Sequence, residues 1–204
     1  MMIQNLIFDV GEVLVGYRWE EMLTMHGLSP ERAAQVYDSC FDTLDWLDYD
    51  KGLVTLEEVI RRAKAGHPDA AEDLEWFLNN PEMMVVPRPR IWQRLCELHD
   101  KGMGIYILSN YSREYFNRAI RGFHFFRAVD GCLVSYEVGL AKPDPAIYTC
   151  LLERFRLKAE TCLFLDDRLE NVEAARQLGI AGYHVTGEEA LADYLSGLFR
   201  NLPG

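Results

Sequence analysis

Four apolar runs in this chain end in the same kind of polar punctuation, and the first of them reads as a buried strand that delivers a carboxylate to a sheet edge. Leu6-Ile7-Phe8 ends in Asp9, with Gly11 two residues on. Ile107-Leu108 ends in Ser109-Asn110. Gly139-Leu140-Ala141 leads into Lys142-Pro143-Asp144-Pro145, and Leu163-Phe164-Leu165 into Asp166-Asp167. A carboxylate on the last residue of a buried strand, followed by a tight turn, projects from the carboxyl edge of a sheet. In open α/β sheets that edge is where ligands bind. Together the four segments supply a nucleophile, a hydroxyl, a cation and a carboxylate pair.

The stretches between these runs predict the architecture. Ile3 to Phe8 reads as a short buried strand. From about Arg18 to Asn80 the chain reads as helix after helix. Pro30 follows Ser29 at one helix start, and Thr55 with Glu58 three residues later forms a capping box at another. Gly66 and Pro68 break the chain, and Asn79-Asn80-Pro81 stops the next helix. From Pro87 onward, strands at Gly104–Leu108, Leu133-Val134, Cys162–Leu165 and Tyr183–Val185 alternate with helices at Arg88–Lys101, Ser112–Arg121, Asp144–Phe155, Arg168–Leu178 and Glu188–Phe199. Such alternation implies parallel βαβ units. The expected fold is α/β: a Rossmann-like doubly wound parallel sheet with a small all-helical cap inserted after the first strand. Residues 1–15 and 86–204 form the expected catalytic core, and residues 16–85 the cap.

Composition excludes several partners. The formal charge is −11, which argues against nucleic acid or an anionic membrane as the main partner. An anionic substrate must then be captured by local positive groups or a metal. The five cysteines are widely spaced and form no Cys-x-x-Cys pair, so a reduced, cytoplasmic protein without zinc is expected. The amino terminus runs directly into a strand, and no apolar run approaches membrane-spanning length, so no signal peptide or anchor is expected. The scattered histidines show no ligand spacing and receive no role.

The polar strand ends suggest specific chemistry. Asp9 is either a surface or capping residue or a nucleophile that attacks phosphorus to form an aspartyl-phosphate. The second reading requires Mg²⁺, so that two anions can meet. Asp166 and Asp167 repel each other unless a cation compensates. Adjacent strand side chains point to opposite faces, so Asp167 is read as the direct ligand and Asp166 as acting through water. Asp167 can equally cap the helix that follows. Asn171 either orients this loop or faces solvent. Ser109 and Asn110 are placed to bind phosphate oxygens, or to serve as an ordinary strand-to-helix cap. Lys142, set in an extended conformation by Pro143, neutralises Asp9 and a transferring phosphoryl group, or lies at the surface. Trp46, Tyr49, Asp50 and Lys51 are expected on a loop, where Trp46 and Tyr49 stack on a sugar ring or pack between cap helices. Tyr17, Arg18 and Trp19 are the expected hinge into the cap.

The order of motifs resembles the haloacid dehalogenase superfamily: Asp-x-x-x-[Thr/Val]-Leu after strand one, Leu-Ser-Asn after strand two, Lys-Pro-Asp-Pro before a helix and Leu-Asp-Asp before another. The resemblance spans the chain, and the helical insertion matches the cap position of the first subfamily. It implies Asp9 as nucleophile, Ser109 with the Asn110 backbone as phosphate binder, Lys142 as charge stabiliser and Asp167 as a Mg²⁺ ligand. Phosphatases of this superfamily usually carry a second Asp two residues after the nucleophile, as general acid and base. Here that position is Gly11, whose carbonyl can still ligate Mg²⁺; Glu12 is one residue off. Loss of the acid is tolerable if the leaving group is good, as in a sugar 1-phosphate, and Asp-x-Gly-x-Val resembles the α-glucose-1-phosphate phosphatase branch. The expected activity is hydrolysis of a small phosphorylated metabolite by a monomer or homodimer. The competing readings are a metal-independent haloacid dehalogenase, disfavoured by the Asp166-Asp167 pair, and a degenerate relative that only binds.

Overall fold

The computed structural model describes residues 2–41 and 44–200. In chain order the elements are β1 (Asn5–Phe8), β2 (Val15–Tyr17), α1 (Trp19–Met25), α2 (Pro30–Phe41), α3 (Leu44–Asp50), α4 (Leu56–Gly66), α5 (Ala71–Asn79), α6 (Pro81–Met84) and β3 (Val85–Pro87). The chain continues with α7 (Pro89–Asp100), β4 (Gly104–Ser109), α8 (Arg113–Tyr115), β5 (Gly131–Val134), α9 (Ser135–Val138), α10 (Pro145–Phe155), β6 (Cys162–Asp166), α11 (Leu169–Gln177), β7 (Ala181–His184) and α12 (Glu188–Arg200).

Five strands form one parallel sheet in the order β5-β4-β1-β6-β7. The chain starts at the centre, winds out to β5, then returns to β6 and winds the other way. The switch point of this doubly wound sheet therefore falls at the carboxyl ends of β1 and β6, where a crevice opens. Phe8 pairs with Ile107 on one side and Leu165 on the other. The Asp9 amide then donates to the Leu165 carbonyl at 2.9 Å. That register brings Asp9 level with Asp166 and beside the end of β4.

Strand residues alternate between two buried layers, as a pleated sheet covered on both faces requires. Leu6, Phe8, Ile105, Ile107 and Leu165 face one core, shared with Ile91 and Leu95 of α7 and Leu191 and Leu195 of α12. Ile7, Leu108, Leu133 and Phe164 face the other, shared with Ile147, Tyr148 and Leu151 of α10 and Ala175 of α11. Central strands buried on both faces explain why their sequences read as unbroken apolar runs.

Four features differ from the sequence expectation. Residues 46–50, expected as a loop, are helical in α3, because no glycine or proline interrupts the chain before Gly52, whose φ of +72° ends the turn. An unexpected ribbon stands at Tyr17: β2 and β3 pair antiparallel, Val15, Gly16 and Tyr17 with Pro87, Val86 and Val85. Both strands are only three residues long and one contains glycine, so neither shows alternation. The helix expected over Ser112–Arg121 begins as α8 and widens into a π turn at Phe116–Ile120. Strand β7 lies two residues earlier at its start than Tyr183. Among the described residues no helix is long and apolar enough to cross a membrane.

Truncating a side chain in the layer beneath Asp166 should be costly. Leu165→Ala is expected to lower unfolding stability by ~2–5 kcal/mol. Leu53→Ala, at a largely exposed position, should change it by less than about 0.5 kcal/mol. Urea denaturation of both variants checks the contrast.

Candidate active site

Three of the four polar segments meet at the crevice through Lys142, which lies on the loop between α9 and α10 and not at a strand end. Its ammonium lies 2.9 Å from Asp9 Oδ1 and 2.6 Å from Asp166 Oδ2. The Lys142 side chain is 1% exposed and that of Asp166 fully buried. Asp9 Oδ1 also accepts from the Ser109 hydroxyl at 2.8 Å and from the Val10 amide at 2.6 Å. Three donors thus converge on one carboxylate oxygen, while no hydrogen bond to Asp9 Oδ2 occurs among the described residues.

The loops holding these groups are themselves pinned. The Asn110 side chain accepts from the Lys142 amide at 2.8 Å and donates to the Lys142 carbonyl at 2.9 Å. This amide clasp joins the end of β4 to the Lys142 loop and occupies the Asn110 side chain, which leaves only its backbone for the expected phosphate contact. Asp166 Oδ1 accepts from the Arg168 amide at 2.8 Å and from Asn171 Nδ2 at 2.9 Å, so Asn171 orients the loop rather than facing solvent. Asp167 is half-buried, and its carbonyl meets His184 Nε2 at 2.9 Å; no role was foreseen for that histidine. Asp9, Asp166 and Asp167 each offer a carboxylate oxygen within 4.8 Å of the others. Three carboxylates against one ammonium leave the cluster short of neutral, and hard oxygen donors at this spacing suit a divalent cation such as Mg²⁺.

Glu12 lines the same cavity as Asp9, but its carboxylate is engaged by other groups. It adopts φ +50°, and its carboxylate binds the Arg88 guanidinium at 2.5 Å and the Tyr17 amide at 3.0 Å. It braces the turn and is not available as a substitute acid.

A cavity of about 340 Å³ opens over Asp9, Ser109 and Lys142, with Gly11 and Asp167 also on its wall. It adjoins a recess of about 140 Å³ lined by Trp46, Asp50, Met84 and Tyr115. Tyr17, Tyr37, Asn110 and Tyr111 line both spaces. Trp46 thus reaches the recess. Tyr49 does not: it is 4% exposed and packs edge-on against Trp46 and Tyr115. The expectation that Tyr49 meets substrate is corrected accordingly, because on a helix its side chain turns into the core behind Trp46.

A family model of haloacid dehalogenase-like hydrolases matches residues 3–179. The chain belongs to the haloacid dehalogenase-like hydrolases. It is 24% identical over 181 residues to the sesquiterpene phosphatase astK of Aspergillus oryzae, covering 88% of each chain. It is 23% identical over 201 residues to drimenol cyclase drtB of Aspergillus calidoustus, and there spans 97% of this chain but 37% of the relative. Among solved structures, the HAD family enzyme bt-2542 of Bacteroides thetaiotaomicron, in complex with magnesium and inorganic phosphate, aligns with a TM-score of 0.70. That likeness, at 23% identity, covers 91% of this chain and 95% of that one, and it is one of fold.

The electrostatics of this hydrolase follow from burial. Burial pushes the Asp9 carboxyl up to about 7; Lys142 pulls it down, and Asp166 and Asp167 push it up again. Burial also raises Asp167, with Asp166 adding to the rise and Lys142 opposing it. Burial works against the Lys142 ammonium, but the facing Asp166 and Asp9 outweigh it and hold the ammonium charged. On the recess side, burial pushes Asp50 up to about 7, against the Ser112 backbone amide.

Of the hydrolase's aromatic groups at the site, the sequence points to Trp46; it marks Tyr17 only as a hinge residue and does not single out Tyr37, Tyr111 or Tyr115. Tyr111 directly follows the Ser109-Asn110 pair, which was the available signal.

The raised carboxyls set a sign for stability. An acid with a higher pKa folded than unfolded favours the folded state at low pH and loses that contribution as pH rises. In chelator, the stability of the hydrolase should therefore fall between about pH 4, the ordinary range of aspartate, and about pH 7, where Asp9 and Asp50 titrate. Added Mg²⁺ should flatten the decline by favouring ionised carboxylates. Urea midpoints across this window, with and without Mg²⁺, check it; a flat profile in chelator would contradict the electrostatics.

Proposed function

We propose that this hydrolase is a Mg²⁺-dependent phosphatase that cleaves the phosphate ester of a small metabolite through an aspartyl-phosphate on Asp9. The observation carrying the reading is the convergence of a buried, triply held Asp9 with the Asp166-Asp167 pair around one lysine. Carbon displacement by a dehalogenase has no use for that acidic edge, whereas attack on a phosphate does. The astK relative and the magnesium and phosphate bound by bt-2542 support the same reading.

Each residue has a proposed part. Asp9 attacks phosphorus, the bond from phosphorus to the leaving oxygen breaks, and water later hydrolyses the acyl phosphate to regenerate the carboxylate. Ser109 and Lys142, which now donate to Asp9 Oδ1, turn part of that capacity to phosphoryl oxygens. Lys142 offsets charge on both partners of the displacement, and Asp166 keeps it there. Asp9 and Asp167 directly, and Asp166 through water, would hold Mg²⁺, which supplies the positive charge that lets two anions approach.

The leaving group faces the recess. Residues 16–85 serve as the cap that shapes it, with Trp46 presenting a flat apolar face and Asp50, among the described residues, the one carboxylate on its wall. A sugar 1-phosphate offers a ring to stack and a hydroxyl to bond, and its anomeric oxygen leaves more easily than an ordinary alcohol's. The free state of all five cysteines accords with action in the cytoplasm.

A panel of phosphate esters assayed with Mg²⁺ and with chelator tests this. Turnover should vanish in chelator, and Asp9→Asn should reduce it to background while the far-ultraviolet circular dichroism spectrum shows that the variant is folded. Chelator-resistant chloride release from 2-haloacids, with no phosphate release from any ester, would replace the phosphatase reading by the dehalogenase one.

A further inference from the structure

An alkoxide leaving phosphorus needs a proton, and most donors around Asp9 are committed elsewhere. Lys142 is held between Asp9 and Asp166. The Ser109 hydroxyl donates to Asp9, the Asn110 amide to Lys142 and the Asn171 amide to Asp166. Arg168 pairs with Glu170, and Glu12 accepts from Arg88 and the Tyr17 amide. The Tyr17 and Tyr111 hydroxyls are different. They share a single hydrogen bond of 2.8 Å in which either oxygen is able to donate. Two hydroxyls carry two protons, and that bond uses one. The pair therefore retains one O–H for a ligand, and both tyrosines line the cavity over Asp9 and the recess beside it.

Gly11 fixes where that hydroxyl sits. A Cβ on Gly11 would lie 2.7 Å from Tyr17 Oη and 3.1 Å from the ring. The Tyr17 hydroxyl occupies the space any side chain at residue 11 would need, in the first turn after Asp9. Strand β2 carries Tyr17 back to that turn, and pairing with β3 holds it there.

We propose that Tyr17, its hydroxyl seated against Gly11 and bonded to Tyr111, is the catalytic residue that protonates the leaving oxygen during transfer of the phosphoryl group to Asp9. This rests on the phosphatase reading above. In the first step an Asp9 oxygen bonds to phosphorus, the phosphorus–ester oxygen bond breaks, and the Tyr17 proton passes to the departing oxygen. The products are the free alcohol, the acyl phosphate and a tyrosinate that accepts a hydrogen bond from Tyr111. In the second step a water oxygen bonds to phosphorus, the Asp9–phosphate bond breaks, and one water proton returns to Tyr17. Phosphate leaves, and both residues are restored.

The test is the dependence of rate on leaving group. With Mg²⁺ present, kcat/KM is measured for 4-nitrophenyl phosphate, whose phenolate leaves without help, and for a primary alkyl phosphate. Tyr17→Phe should reduce the alkyl phosphate value by ~10²-fold or more, the usual worth of a general acid, and the 4-nitrophenyl value by less than ~3-fold. The second substrate also reports that the variant is folded. Tyr111→Phe should act in the same direction with a smaller loss. Equal effects of Tyr17→Phe on both substrates, or no effect, would overturn the proposal. So would a leaving-group-selective loss in Asp50→Asn with none in Tyr17→Phe, which would assign the proton to Asp50. Wild-type turnover with Mg²⁺ bears on the phosphatase reading and the substrate ratio on Tyr17, so the two ideas fail separately.

Discussion

The ammonium of Lys142, sealed between Asp9 and Asp166, is the interaction on which the rest of the site depends. A lysine this deeply buried loses its hydration and stays charged only because two carboxylates face it. Those carboxylates come from the ends of β1 and β6, the two strands that flank the switch point. One side chain therefore ties both halves of the doubly wound sheet to the loop before α10. The Asn110 clasp on the Lys142 backbone adds the end of β4. Removing any member leaves a buried charge or an amide without its partner, so this polar cluster acts as a unit.

Much of this was legible because local rules and tertiary structure agree. Leu6-Ile7-Phe8 and Leu163-Phe164-Leu165 read as central strands because burial on both faces allows nothing but apolar residues there, and their polar ends read as site residues because the carboxyl edge is where such a sheet is open. Thr55 reads as a helix cap, and its side chain accepts from the Glu58 amide. What was hidden depends on partners distant in sequence. The β2–β3 ribbon joins residues about 70 apart with three pairs and carries no periodicity. The helix at Trp46 was obscured by its aromatic and acidic composition. The task of Asn110 is visible only once Lys142 stands opposite, and Tyr37 and Tyr115 carry no local sign that they reach the site.

The two sides of the cavity differ in kind. The sheet side is charged, satisfied and tightly bonded, as positioning a small anion requires. The other side is built from Tyr17, Tyr37, Trp46, Tyr111 and Tyr115, with Asp50 among them. Part of that wall is tied back to the core: the Tyr111 amide donates to the Ser135 hydroxyl at 2.9 Å, and Ser135 in turn donates to the Asp50 carbonyl. The aromatic side thus inherits its position from the sheet, although several of its members come from the helical segment.

The bond between Glu12 and Arg88 closes the chain on itself at the neck of that segment. Arg88 follows β3 directly, and its guanidinium holds both the carboxylate and the carbonyl of Glu12 in the turn after Asp9. Outgoing and returning passages are therefore fastened together on the near side of every helix between them. The helical segment is thereby a closed excursion, and a change in its length or outline need not disturb the root that aims Asp9.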